Sequence, residues 1–95
     1  MKEYHQFYIN GSWVDPINGL NKLDVLNPAT EEPIGSIALG SSEDVNAAVD
    51  AAWRAGQFDS QWRSMTSSAR GALIRKLGDG LMEASDSLAV TEVLD

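Results

Sequence analysis

The chain changes character at Gly40. Before it come short runs of β-favouring residues set apart by Asn-Gly and proline turns. After it the sequence is alanine-rich, and its apolar residues recur at helical spacing. This order predicts an α+β fold, with antiparallel hairpins and strands over about 6–39 followed by two to three helices over about 42–55, 67–84 and 86–95. Ninety-five residues support at most one small domain, 1–95, with a strand and turn region to 40 and a helical region from 41.

In the first region, Phe7-Tyr8-Ile9 and Ser12-Trp13-Val14 flank Asn10-Gly11, a pair that tolerates the two positive φ angles of a tight hairpin turn. Asp15-Pro16 ends the hairpin and Asn18-Gly19 makes a second turn. Leu20 to Leu26 reads as a third strand, with Leu23 and Val25 on one face, and Ile34 to Leu39 as a fourth. Between them Asn27 to Pro33 is a loop, since its two prolines remove donors and push the preceding residues out of helical geometry.

In the second region Ser41 and Asp44 form a capping-box-like start. Val45, Ala48, Val49, Ala52 and Trp53 make one apolar stripe expected to face the core, with Asp50 and Arg54 paired on the exposed side and Gly56 as the stop. Phe58 and Trp62 look too aromatic to be wholly exposed. The second helix starts after Thr66 or Ser67 and buries Ala69, Leu73, Leu77, Leu81 and Ala84. Gly78 and Gly80 are expected to interrupt it, each costing about 1 kcal/mol relative to alanine. Asp86 can cap a third helix that runs to Asp95.

The residues themselves disclose no active site. A net charge of −7 disfavours nucleic acid and anionic membranes as partners, because like charges repel. No apolar run is long enough to span a bilayer and the start lacks the features of a secretory signal, so the cytoplasm is the expected compartment. With no cysteine there is no thiolate nucleophile and no disulfide. His5 is the only histidine and has no nucleophile in a recognisable setting, so a solvated or strand-edge position is expected. Gly35 to Gly40 fits a phosphate-loop spacing but is followed by Ser41 instead of lysine, and reads better as a strand. Glu31 and Glu32 read as a solvated turn, and Trp13, Trp53 and Trp62 as packing residues.

In series, the elements resemble the N-terminal segment of the aldehyde dehydrogenase superfamily. Phe7 to Val14 looks like its first hairpin, and Leu26 to Gly35 looks like its Asn-Pro-Ala-Thr-Gly-Glu loop and following strand. Ser42 to Ala52 is similar to its first helix, while Trp62, Arg70, Leu73, Ile74, Leu77 and Asp79 recur at the spacing of its second. Leu88-Ala89 and Glu92 to Asp95 look like the stretch that runs on into Gly-Lys-Pro. The sequence departs from the pattern at Glu31, where the family has glycine, and at Gly78 and Gly80, where it has helix formers.

For a complete protein the resemblance implies oxidation of an aldehyde to a carboxylic acid with NAD or NADP, through a cysteine thiolate and a glutamate-activated water. Those groups lie beyond these residues. The 95-residue chain alone is therefore expected to be inactive and to bind no cofactor, its partners being the remainder of the enzyme chain and further subunits. The resemblance also implies part of a monovalent-cation site, with backbone oxygens of Val25 and Leu26 and the side chain of Asp95. The alternative is a stand-alone, non-enzymatic interaction module derived from such a segment.

Overall fold

A computed structural model describes residues 2–95. It contains five strands, β1 (Lys2–Tyr4), β2 (Phe7–Ile9), β3 (Ser12–Val14), β4 (Lys22–Leu26) and β5 (Pro33–Ala38). Four helices follow, α1 (Ser42–Ala55), α2 (Gln61–Ser64), α3 (Ser67–Glu83) and α4 (Ser85–Leu94). The predicted α+β order holds. The sequence pattern missed β1, whose Lys-Glu-Tyr carries no alternation, and α2, a single turn.

Two compact units result. One runs to Arg54 and is joined by Asp95; the other is Ala55–Leu94. The first unit runs past the compositional change at Gly40 and includes α1, which side-chain hydrogen bonds tie to the 16–19 turn.

In the first unit β2 and β3 form the expected antiparallel hairpin, with Phe7 opposite Val14 and Ile9 opposite Ser12. Asn10 and Gly11 turn it at φ 53° and 78°, the positive pair that a two-residue loop needs. A separate three-stranded sheet has the order β1-β5-β4, antiparallel between β4 and β5 and parallel between β1 and β5. Gly35 faces Lys2 across the parallel ladder, and a Cβ there would lie 2.5 Å from the Lys2 carbonyl oxygen. Only glycine allows that approach.

The Asn27–Glu32 loop is closed by its own polar groups. Asn27 Oδ1 accepts from the N–H groups of Ala29 and Thr30, at 2.8 and 3.3 Å, and the Asn27 N–H donates to Glu32 O at 2.9 Å. Glu31 occupies the left-handed region at φ 61°, so the turn keeps the geometry that glycine would favour while carrying a side chain.

Helix α1 reverses the expectation about its buried face. Asp44 and Ala51 are buried and Ala47 is half-buried, whereas Val45, Val49 and Trp53 are 56%, 59% and 71% exposed. The packed stripe is therefore 44-47-51, and the more apolar stripe beside it is open. Arg54 does not pair with the Asp50 side chain either; its Nε donates to the Asp50 main-chain oxygen at 3.4 Å.

In the second unit Ser60 caps α2 by accepting from Arg63 N, and Thr66 caps α3 by accepting from Ala69 N. Gly78 and Gly80 do not break α3, which runs through both. Intact hydrogen bonding tolerates glycine at a cost instead of a rupture. The expected buried side of α3 is open as well, with Leu73, Leu77 and Leu81 all exposed. Phe58, expected to be sheltered, is 84% exposed and is covered on one ring face by the Arg63 guanidinium, 4.3 Å from its centroid.

Candidate functional site

The most elaborate polar arrangement is at the N-terminus of α1. Ser41 and Asp44 satisfy one another: Asp44 N donates to Ser41 Oγ at 3.4 Å, while Asp44 Oδ2 accepts from Ser41 N and Ser41 Oγ, both at 2.9 Å. The other carboxylate oxygen, Oδ1, accepts from Ile17 N at 2.9 Å, so the helix start holds the 16–19 turn. Next to it Glu43 Oε2 accepts from Asn18 Nδ2 at 2.8 Å and from Ser42 Oγ at 3.2 Å.

These donors stabilise the charged forms. The Ile17 N–H, then the Ser41 N–H, hold the Asp44 carboxyl below the ordinary aspartate range; desolvation opposes them and the Ser41 hydroxyl assists. Glu43 is likewise lowered, by its own main-chain N–H first, then Ser42, Asn18 and Ser41. Asp44 is 5% exposed with both oxygens engaged, which suits a structural clasp and not a base awaiting a proton.

Beside this clasp, the hairpin and α1 enclose a cleft of about 400 Å³. Ile9, Val14, Ile17, Ala47 and Ala51 line it, with Asn10, Asp15 and Arg54 among its polar residues. Asp15 is occupied by Gln6 Nε2 at 2.9 Å.

The histidine has a partner that the sequence did not disclose. His5 directly follows edge strand β1, as expected, but it is half-buried instead of solvated, with Nε2 2.8 Å from Ser36 Oγ. Ser36 is 2% exposed, so the pair secures β5 to the segment after β1 and offers no route for a substrate to the hydroxyl. Alternation along β5 could have placed Ser36 inward; nothing in the sequence linked it to a residue 31 positions away.

Val25 and Leu26 pair with Gly35 and Pro33, and the register shifts between them. Such an irregularity takes main-chain oxygens out of the regular ladder. Asp95 groups with this strand unit and not with the helix preceding it, so the three expected cation ligands belong to one unit. Among the described residues no cluster of three or more His, Asp or Glu side chains could hold a metal ion. Gly35 and Gly40 do not form a phosphate loop: Gly35 lies inside β5, against Lys2. Among the described residues no helix is long and apolar enough to cross a membrane.

Comparison with known proteins gives a consistent result. The profile of the Aldehyde dehydrogenase family matches residues 13–95. Aldehyde dehydrogenase 1A1 of Gallus gallus is 40% identical over 98% of this chain and 18% of its own length; the Homo sapiens protein is 44% identical over 94% and 17%. An aldehyde dehydrogenase crystal structure from Bartonella henselae superposes with a TM-score of 0.90, at 33% identity, over 99% of this chain and 19% of the other. The Mycobacterium tuberculosis aldehyde dehydrogenase complexed with NAD+ gives 0.81 at 33% identity, over 92% and 18%. The chain thus spans less than a fifth of the length of these relatives.

Proposed function

Because the chain belongs to the aldehyde dehydrogenase family, we propose that it forms the N-terminal part of an NAD(P)-dependent enzyme that oxidises an aldehyde to a carboxylic acid. The observation that carries this reading is the near-complete match of this chain to less than a fifth of each relative, in sequence and in backbone. Its role there is architectural.

The residues support that division of labour. The chain has no cysteine to attack a carbonyl. The one buried carboxylate among the described residues, Asp44, is engaged by Ile17 and Ser41, and the one histidine is engaged with a buried serine. The glycines that come nearest to a phosphate motif are committed to β5 and its end, so these residues do not fit a dinucleotide and we assign NAD or NADP to the remainder of the enzyme. Bound there, the cofactor would accept hydride from the aldehyde carbon. What this segment supplies is a folded strand unit with open apolar faces on α1 and α3 for the remainder to cover.

We also propose that Val25 O, Leu26 O and Asp95 contribute to a monovalent-cation site, oxygen donors suiting a hard ion. The register shift at Val25/Leu26 and the grouping of Asp95 with the strands support it. Melting the chain in potassium, sodium and choline chlorides at equal ionic strength tests it. A potassium- or sodium-specific rise, absent in Asp95→Asn, is expected; identical curves in all three salts refute it.

The main reading is tested by determining the coding sequence that follows Asp95 and assaying both proteins. An in-frame continuation into a cysteine-bearing dehydrogenase, active with NAD or NADP, is expected, with no turnover from the 95-residue chain. An unrelated continuation would favour the interaction-module reading. Turnover by the 95-residue chain itself would refute both.

A further inference from the structure

We propose that Asn10 is a site of spontaneous deamidation and isoaspartate formation in the folded protein, and that Asn18 is protected from the same reaction although it too is followed by glycine. The inference is independent of the family reading.

The reaction needs a backbone nitrogen to reach a side-chain carbonyl carbon. The Gly11 nitrogen attacks Asn10 Cγ; a C–N bond forms, the Cγ–Nδ2 bond breaks, and ammonia leaves with the proton from the Gly11 nitrogen. Water then opens the resulting cyclic imide at either carbonyl, giving aspartate or isoaspartate. Nothing is oxidised or reduced, and water is the only co-reactant. A following glycine favours attack because it has no Cβ to hinder it.

The chain contains five asparagines. Asn27 precedes Pro28, whose nitrogen carries no proton to lose. Asn46 lies within α1, and Asn21 is followed by Lys22, so neither has the unhindered glycine partner. The two Asn-Gly pairs then differ in backbone conformation, Asn10 taking a φ of 53° where Asn18 takes no positive φ, and in what holds their reacting groups. At Asn18 the leaving amide donates to Glu43 Oε2 at 2.8 Å, and the Gly19 nitrogen donates to Pro16 O at 3.4 Å. Both reacting groups are held. At the exposed hairpin tip, among the described residues, no hydrogen bond engages the Asn10 side chain or the Gly11 N–H. A Cβ built on Gly11 would meet nothing within 4 Å. The hairpin has only two strands of three residues each, so the opening that lets the nitrogen swing toward Cγ costs little.

Isoaspartate would put an extra methylene into a main chain whose two turn residues already sit at φ 53° and 78°. The β2–β3 register depends on that turn, and with it the Tyr8–Trp13 ring contact at 5.2 Å. Conversion at Asn10 also places a new carboxylate on the cleft that Arg54 lines.

The experiment is incubation of the intact chain at neutral pH, with and without urea, followed by peptide mass mapping and isoaspartyl methyltransferase labelling. Asn10 is expected to convert several-fold faster than Asn18 in buffer, and the two rates are expected to converge in urea, where neither turn survives. Glu43→Ala is expected to raise the Asn18 rate and leave Asn10 unchanged. Equal rates in buffer, or faster conversion at Asn18, would overturn the proposal.

Discussion

The main-chain N–H of Ile17 donates to Asp44 Oδ1 at 2.9 Å, across 27 positions of sequence. The same carboxylate closes the capping box at Ser41, so one side chain both starts α1 and anchors the turn that leads out of the hairpin. Removing either partner should therefore have unequal consequences. Ser41→Ala loses the cap alone and is expected to cost about 1 kcal/mol. Asp44→Ala also orphans the Ile17 amide and should cost more. Urea midpoints of the two variants make the comparison, and a Ser41→Ala loss equal to that of Asp44→Ala would contradict the double role.

Acid should act through the same groups. The Asp44 and Glu43 carboxyls are lowered in the folded chain, so the stability they confer is complete above their unfolded values and is lost as pH falls through the folded ones. Ellipticity and melting temperature are expected to hold down to about pH 5 and to fall below about pH 4. Asp44→Asn should flatten the acid limb, and an unchanged slope in that variant would assign acid sensitivity to other groups.

At Gly35 the expectation is steric. Gly35→Ala drives a methyl to 2.5 Å from the Lys2 carbonyl oxygen, both sides of the clash being main chain or rigidly attached to it. A loss of roughly 1–3 kcal/mol follows, with β1 leaving β5. Hydrogen exchange would detect it as lost protection confined to Lys2–Tyr4 and its partners on β5.

Glu31 offers the opposite case. Its φ of 61° is one that glycine adopts without a Cβ penalty. Glu31→Gly is expected to stabilise the loop by roughly 0.5–1 kcal/mol, whereas Glu31→Ala should give no such gain. A denaturant series on the two variants separates backbone relief from loss of charge.

What could be read in the sequence was whatever short-range chemistry decides. Asn10-Gly11 announces its hairpin, Ser41 and Asp44 their cap and Thr66 the start of α3, because each acts within a few residues. What escaped it depended on distant partners. No local pattern says that Lys2 lies beside Gly35, that His5 meets Ser36, or that Ile17 meets Asp44. Helical periodicity located α1 correctly but misassigned its buried face, since 44-47-51 includes an aspartate whose donors come from elsewhere. Of the candidate site, the identities of Val25, Leu26 and Asp95 came from family resemblance, and the register shift between the first two is visible only in the sheet.

The open stripe of Val45, Val49 and Trp53 separates two properties that usually travel together. In most helices the residues that make a chain stable are also those that make it insoluble when misplaced. Here the packed positions lie on the 44-47-51 face and the larger apolar side chains on the exposed one, so the two properties are expected to separate. Val49→Ser should leave the unfolding midpoint within about 0.5 kcal/mol of the parent, as surface changes do, while raising the concentration at which the chain stays in solution. Light scattering beside a urea titration would read both, and a large stability loss would place Val49 in a core after all. A helix with its contacts divided in this way can be edited for solubility and for folding independently.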